Sequence, residues 1–210
     1  MKDNKSTPVS ETSRLEQLWG GEFGDAYVER NREAGNVREP FWCSLLEKYS
    51  IKSVLEVGCN VGANLRWIAT KCLPDQVYGI DVNQKALQEL RRTLPTINSL
   101  SGHARELPFR DKYFDLVFTT GVLIHQPDTT LPLVMAEIVR CSRKYVLCGE
   151  YFSETSLEVP YRNQRGALFK RNYGAIYQEL FPELTLVETG FLGTDQGWDD
   201  VTYWVFQNSG

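Results

Sequence analysis

A strand, a glycine turn and the start of a helix follow one another between Ser53 and Thr70, a junction that restricts a fold more than any other stretch of this chain. The apolar run Ser53-Val-Leu55 leads into Glu56-Val-Gly-Cys-Asn-Val-Gly-Ala-Asn64, and Leu65-Arg-Trp-Ile-Ala-Thr70 continues with helical character. A strand feeding such a turn aims backbone N–H groups and the positive end of a helix at whatever lies above it. Gly58 and Gly62 meanwhile lack side chains that would block a ligand's approach. The turn is therefore expected to hold part of a nucleotide-like ligand, with Gly58, Cys59 and Asn60 acting through their backbone.

The spacing narrows the ligand. A dinucleotide turn reads G-x-G-x-x-G around a pyrophosphate, whereas this one reads E-x-G-x-N-x-G and opens on a carboxylate. A buried Glu56 would repel a pyrophosphate and suits a cation, such as the ammonium of a methionine moiety. Gln76-Val-Tyr-Gly-Ile-Asp81 is a second strand ending in an acid, where Asp81 is placed to accept both hydroxyls of a ribose, with Val82 beside it. Asn60 and Asn64 either bond the carboxylate of that moiety or cap the following helix.

Strands over Ser53–Val57, Val77–Ile80, a weak one near Ser99, Phe114–Thr120 and Tyr145–Tyr151 alternate with helices over Gln84–Arg92 and Leu131–Arg140. Such alternation predicts a parallel sheet covered on both faces. Lys170–Leu180 reads as a helix, Leu184–Phe191 as a strand and Asp199–Phe206 as a closing strand. Residues 1–12 are polar and expected to be disordered. Residues 13–50 read as an N-terminal helical lid, with Ser13 capping the first helix, a second over Asp25–Glu33 and a third from Pro40 to Tyr49. Residues 51–210 form the main domain, of which 151–172 are a loop or small insertion.

With 210 residues the chain is of single-domain size, and a net charge of −4 with pI near 5.3 provides no global basic field to gather nucleic acid. Cys43, Cys59, Cys72, Cys141 and Cys148 are odd in number and contain no C-x-x-C pair, so neither a metal site nor a disulfide framework is expected. The polar start from Met1 to Glu16 has no apolar leader core and no stretch is long enough to span a bilayer, which predicts a cytoplasmic protein.

Glu56-Val-Gly58, Gly62, Gly79-Ile-Asp81, Glu106-Leu-Pro-Phe109 and Phe114-Asp-Leu-Val117 together resemble the class I S-adenosylmethionine (SAM) dependent methyltransferases. The resemblance runs from about Ser53 to Glu150. It implies a Rossmann-like α/β fold with a seven-stranded, mostly parallel sheet, an antiparallel last strand beside the fifth, and helices on both faces. It also implies SAM as cofactor, with His103 and Ala104 at the adenine edge and Thr120 and Gly121 at the mouth. Two positions depart from the pattern, since Asn60 stands where glycine is common and His103 where an acid often faces the adenine. A narrower likeness, to bacterial methyltransferases associated with pseudaminic acid biosynthesis, rests on Glu16-Gln-Leu-Trp-Gly-Gly-Glu-Phe-Gly-Asp-Ala-Tyr27, Glu150-Tyr-Phe152, Tyr161-Arg162 and Leu168-Phe-Lys-Arg171. It implies a surface-sugar context and a helical lid.

The acceptor side follows from charge and aromatics. His125, in Thr120-Gly-Val-Leu-Ile-His-Gln-Pro127, is either a general base for a hydroxyl acceptor or a packing histidine. Tyr161, Arg162, Arg165, Lys170, Arg171 and Tyr173 make either a site for an anionic sugar or sugar nucleotide, or a solvated loop. Trp19, Phe23 and Tyr27 either meet the sulfonium or pack as apolar rings. A small-molecule acceptor is expected rather than nucleic acid or membrane, with the oligomeric state open. A nicotinamide oxidoreductase and a SAM-binding regulatory module are the competing functions.

Overall fold

The computed structural model describes residues 10–32 and 36–210. Of the disorder expected over residues 1–12, residues 1–9 lie outside the described residues, whereas Glu11 and Thr12 are helical. The second helix ends at Arg30, short of the expected Glu33, because Asn31 closes it with its amide on the Tyr27 and Val28 carbonyls. Helix α1 (Glu11–Gly20) begins earlier than expected, because Ser10 rather than Ser13 is the N-cap and accepts a bond from the Ser13 amide at 3.1 Å. The boundary drawn at residues 12 and 13 thus falls inside α1. Helix α2 (Glu22–Arg30) follows after Gly21, and α3 (Glu39–Lys48), with Pro40 in its first turn, buries Trp42, Leu45 and Leu46.

The sheet strands are β1 (Val54–Val57), β2 (Val77–Asp81), β3 (Asn98–Ser101), β4 (Phe114–Thr120), β5 (Ser142–Glu150), β8 (Leu184–Leu192) and β9 (Val201–Asn208). They lie in the order β3-β2-β1-β4-β5-β9-β8. The strands from β1 to β5 pair in parallel, and β9 runs antiparallel to both β5 and β8. This is the Rossmann-like architecture expected, with the last strand inserted beside the fifth.

Alternation along each strand divides the core in two. Val54, Leu116, Phe118, Leu147 and Val205 pack under α3, α4 (Leu65–Ile68) and α5 (Gln84–Thr93). Leu55, Val57, Val117, Val146 and Phe206 pack under α6 (Leu131–Cys141) and α7 (Tyr173–Leu180) on the opposite face. Successive strand residues point to opposite faces, so one apolar run supplies both layers.

Residues 151–172 contain a short antiparallel pair, β6 (Leu157–Glu158) with β7 (Phe169–Lys170). Lys170 is therefore in a strand. Helix α7 starts later than expected, at Tyr173, because Asn172 caps it by accepting from the Ala175 amide at 3.0 Å. The strand order turns at β1 and β4, and the carboxyl ends of β1, β2 and β4 open into one crevice. Sheets of this type bind ligands at such a switch point.

Candidate functional site

A cavity of about 560 Å³ lies over these strand ends, roofed by α1 and α2. Thirteen residues expected at a cofactor all line it: Trp19, Tyr27, Glu56, Gly58, Cys59, Asn60, Asn64, Asp81, Val82, His103, Ala104, Thr120 and Gly121. His125, Tyr161 and Arg162 line it too, whereas Lys170 and Arg171 do not.

The turn works differently from the sequence expectation. The Gly58 and Cys59 amides donate to the Ile80 carbonyl, that of Gly62 donates to Cys59, and that of Asn60 donates to Asp81 Oδ2 at 2.8 Å. These four amides are spent inside the protein, so they are not aimed at a ligand. Gly58 and Gly62 have φ of 76° and 78°, and an added Cβ would strike Val122 and Leu90 respectively at 2.4 Å. Their lack of a side chain lets neighbouring elements close on the turn and leaves room for a left-handed backbone. Asn60 takes a similar conformation with φ 45°, which asparagine tolerates better than most residues.

Asp81 ends β2 with each carboxylate oxygen tied down: Oδ2 by Asn60, and Oδ1 by the Asn83 amide at 2.8 Å. Burial raises its pKa, opposed by the backbone N–H groups of Asn83, Asn60 and Val82. Each oxygen keeps a second lone pair, so the carboxylate arrives pre-oriented for two hydroxyls.

Glu56 and Arg38 make the most unusual part of the site. Glu56 is buried, and Oε1 accepts from Asn64 Nδ2 at 2.6 Å while Oε2 has no partner among the described residues. Burial pushes its pKa up to about 8, opposed by the Asn64 hydrogen bond and by Arg38. Asn64 Oδ1 accepts from Arg38 Nη1 at 3.0 Å and from Trp42 Nε1 at 3.2 Å, and Asn64 Nδ2 also donates to Thr120 Oγ1 at 3.0 Å. Arg38 lines the cavity, donates Nε to the Gly197 carbonyl at 2.8 Å, and forms no ion pair among the described residues. One amide thus bridges an acid lacking a cation and a base lacking an anion. Asn64 does not cap α4 with its side chain, so of its two expected uses the geometry excludes helix capping.

At the other end, Trp19 is the hub of an aromatic box. Its ring centroid lies 4.3 Å from His125, 5.3 Å from Phe23, 5.5 Å from Tyr27 and 6.3 Å from Tyr161. His125 Nδ1 faces the Ala167 carbonyl at 2.5 Å, which leaves Nε2 of the neutral ring as an acceptor. Burial lowers the His125 pKa to about 4, opposed by that carbonyl. The hydroxyls of Tyr27, Tyr151 and Tyr161 bond no protein group among the described residues. Arg162 is exposed, with its guanidinium 5.9 Å from the Tyr161 ring centroid.

His103 and Arg105 grip Glu16 of α1 at 3.1 Å and 2.7 Å, and Asn83 Nδ2 holds the Trp19 carbonyl at 3.0 Å and Asp25 at 2.9 Å. The two N-terminal helices are thereby fastened over the cavity. Arg171 is buried away from it, bonded to Asp128 at 2.8 Å and to the Gln126 carbonyl at 3.2 Å, with its guanidinium 4.2 Å from the Phe169 ring centroid. Lys170 sits 5.5 Å from the Tyr151 ring centroid. Of the cations expected at an anion site, only Arg162 reaches the cavity.

Sequence reasoning missed Arg38, Trp198, Asp199 and Glu150. Glu150 ends β5 as Asp81 ends β2, so the same rule of an acid closing a buried strand would have found it. It accepts from Thr119 Oγ1 at 2.9 Å and from the Val122 and Ile124 amides, both at 3.3 Å, and so holds the loop that carries His125. Burial pushes its pKa up to about 7. Arg38 had only the weak signal of a cation just before a proline-started helix, and Trp198 had none.

Residues 54–144 match a family model described as a methyltransferase domain. The phthiotriol/phenolphthiotriol dimycocerosates methyltransferase of Mycobacterium tuberculosis is 32% identical over 108 residues, covering 50% of this chain and 38% of that protein. The fatty-acid O-methyltransferase of Mycolicibacterium smegmatis is 37% identical over 112 residues, covering 52% and 39% respectively. The chain thus spans less than half the length of these two curated relatives. Among solved structures, the Burkholderia thailandensis 1,6-didemethyltoxoflavin-N1-methyltransferase superposes with TM-score 0.72 at 14% identity, covering 98% of this chain and 93% of that one. The magnesium protoporphyrin IX methyltransferase of Synechocystis PCC 6803 does so with TM-score 0.68 at 12% identity, covering 97% and 100%. At such identities the likeness is one of fold.

Proposed function

We propose that this chain, which carries a methyltransferase domain on a Rossmann-like methyltransferase fold, transfers a methyl group from SAM to a small acceptor. The observation that carries the reading is the Glu56–Asn64–Arg38 bridge. A carboxylate oxygen unpartnered and a guanidinium without an ion pair among the described residues, fixed to opposite ends of one amide, fit the ammonium and carboxylate of an α-amino acid. A nicotinamide dinucleotide presents no such zwitterion. Asp81 would hold the ribose, with His103 and Ala104 at the adenine edge. When bound, the cofactor supplies a methyl carbon made electrophilic by its sulfonium.

The acceptor end favours a ring bearing hydroxyls. Tyr27, Tyr151 and Tyr161 offer phenols with no partner among the described residues, and His125 Nε2 accepts a hydrogen bond without itself being charged at neutral pH. In this reading His125 orients the reacting hydroxyl and takes its proton as the methyl arrives, then releases it to water. Arg162 meets an anionic or nucleotide-linked substituent. These features, with the likeness to methyltransferases associated with pseudaminic acid biosynthesis, support an O- or N-methylation of a sugar used in surface polysaccharide. An acyl carboxylate is the second reading, favoured by the apolar wall of Leu15, Ile124, Val134 and Leu168 and by the fatty-acid O-methyltransferase relative. Incubation with SAM and parallel panels of nucleotide sugars and fatty acids, scored by S-adenosylhomocysteine release and a mass gain of one methyl, separates the two. Binding of NAD in preference to SAM would overturn both.

A further inference from the structure

The turn between β8 and β9 lies outside residues 54–144, yet Trp198 and Asp199 line the cavity. Trp198 is 3% exposed and is held by Phe41 at 5.3 Å and Trp42 at 6.2 Å between ring centroids. The Arg38 guanidinium carbon lies 4.1 Å from the Trp198 ring centroid. Gly197, whose carbonyl takes Arg38 Nε, has φ 77° and ends a short 3-10 turn at Thr194–Gln196. The guanidinium is thus fixed on a face by an indole, at Nε by Gly197 and at Nη1 by Asn64, and among the described residues only Nη2 has no partner. Glu56 and Asp199 are the acids that act on it electrostatically, neither within ion-pair distance. A planar cation held on a face and at two nitrogens has little freedom left in its third, which suits directed recognition of a carboxylate.

We propose that Trp198 is a positioning residue for the methyl donor: its indole face and the adjacent Gly197 carbonyl hold Arg38 so that Nη2 meets the carboxylate of the donor's amino-acid end. The proposal rests on the SAM reading above and extends it to the β8–β9 turn. A buried tryptophan that merely filled the core would affect every ligand of the cavity alike, whereas a positioning one affects only ligands that carry the carboxylate.

The test is calorimetric binding of SAM and of decarboxylated SAM, which lacks that carboxylate, to the wild type and to Trp198→Leu, Trp198→Phe and Arg38→Gln. Wild type is expected to prefer SAM by about 10- to 100-fold, the range for a hydrogen bond to a charged group. Trp198→Leu should weaken SAM by about 3- to 30-fold, the range of a cation–π contact, and leave decarboxylated SAM within two-fold. Trp198→Phe keeps an aromatic face and most of the packing, so it should fold even where leucine does not. It should lose about two- to five-fold, again for SAM alone. In the Arg38→Gln background Trp198→Phe should cost SAM nothing further. Equal losses for both ligands, or no loss in either Trp198 variant, would overturn the positioning role. Equal wild-type affinity for the two ligands would remove the carboxylate from Arg38, and no wild-type binding of SAM would overturn the cofactor reading itself.

Discussion

At the scale of single residues, Glu56 makes the site sensitive to pH. Burial holds its pKa at about 8, so the free protein keeps this carboxyl protonated at neutral pH. A cation placed on Oε2 favours the carboxylate and lowers that pKa. SAM binding measured between about pH 6 and 7 should therefore expel a proton, and affinity should rise as pH rises toward about 8. Calorimetry in phosphate and in Tris, whose ionisation heats differ, reads the proton directly. Glu56→Gln should abolish the release and weaken binding by roughly 10- to 100-fold; a wild type that expels no proton would place the ammonium elsewhere. His125 gives a second prediction. With its pKa near 4 it is a weak base, so His125→Ala should cost about 10²-fold in kcat on a hydroxyl acceptor, the low end for general base catalysis, with SAM affinity nearly unchanged. A wild-type pH–rate limb at 6.5 rather than well below it would contradict this environment. That Asp81 and Glu56 line the cavity was legible because an acid beside an apolar strand is conspicuous. The Gly58 and Cys59 amides were misread, because a sequence does not reveal that Ile80 offers its carbonyl to both.

Among the elements, the alternating strands and helices were legible because each buried strand is a continuous apolar run and each covering helix has one apolar face. The stretch from Tyr151 to Asn172 was not, since β6 and β7 are two residues each and long-range bonds fix the segment instead. Ala167 faces His125, the Arg165 carbonyl accepts from Arg14 at 3.0 Å, and Arg171 joins β7 to Asp128. The cations of this segment should separate by experiment. Arg171→Met removes a buried cation with several partners, and a loss of about 2 to 4 kcal/mol should lower Tm by roughly 4 to 16 °C in a chain of this size. Arg162→Ala should leave Tm within about 1 °C, as expected of an exposed side chain, and raise the KM of an anionic acceptor. Thermal scans and acceptor kinetics on both variants check the division, and a KM effect confined to Arg171→Met would reverse it.

For the whole molecule, three buried groups set how stability follows pH. Glu56 and Glu150, raised to about 8 and about 7 from 4.5, favour the fold below about pH 4.5, and this contribution is lost as pH rises through their folded values. His125, lowered to about 4 from 6.5, favours the fold above about pH 6.5, and its contribution is lost as pH falls through 4. Between pH 6.5 and 8 the two carboxyls dominate, so Tm of the ligand-free protein should fall across that window. Glu56→Gln and Glu150→Gln should each flatten the slope, and a wild-type Tm that climbs there would refute the sign. Glu150 was legible by the rule that picked out Asp81, but its partners, the Thr119 hydroxyl and the Val122 and Ile124 amides, were not, since only the folded sheet brings them to the end of β5. The sheet order β5-β9-β8 also fixes a sequence of events during synthesis. The chain emerges from the ribosome with β8 made and its neighbour β9 still to come, so β5 and β8 wait with unsatisfied edges across an empty lane. The turn carrying Trp198 enters with β9. A nascent chain would thus complete its ligand site and fill the lane between β5 and β8 in one step, making ligand capture a report that translation has passed β9.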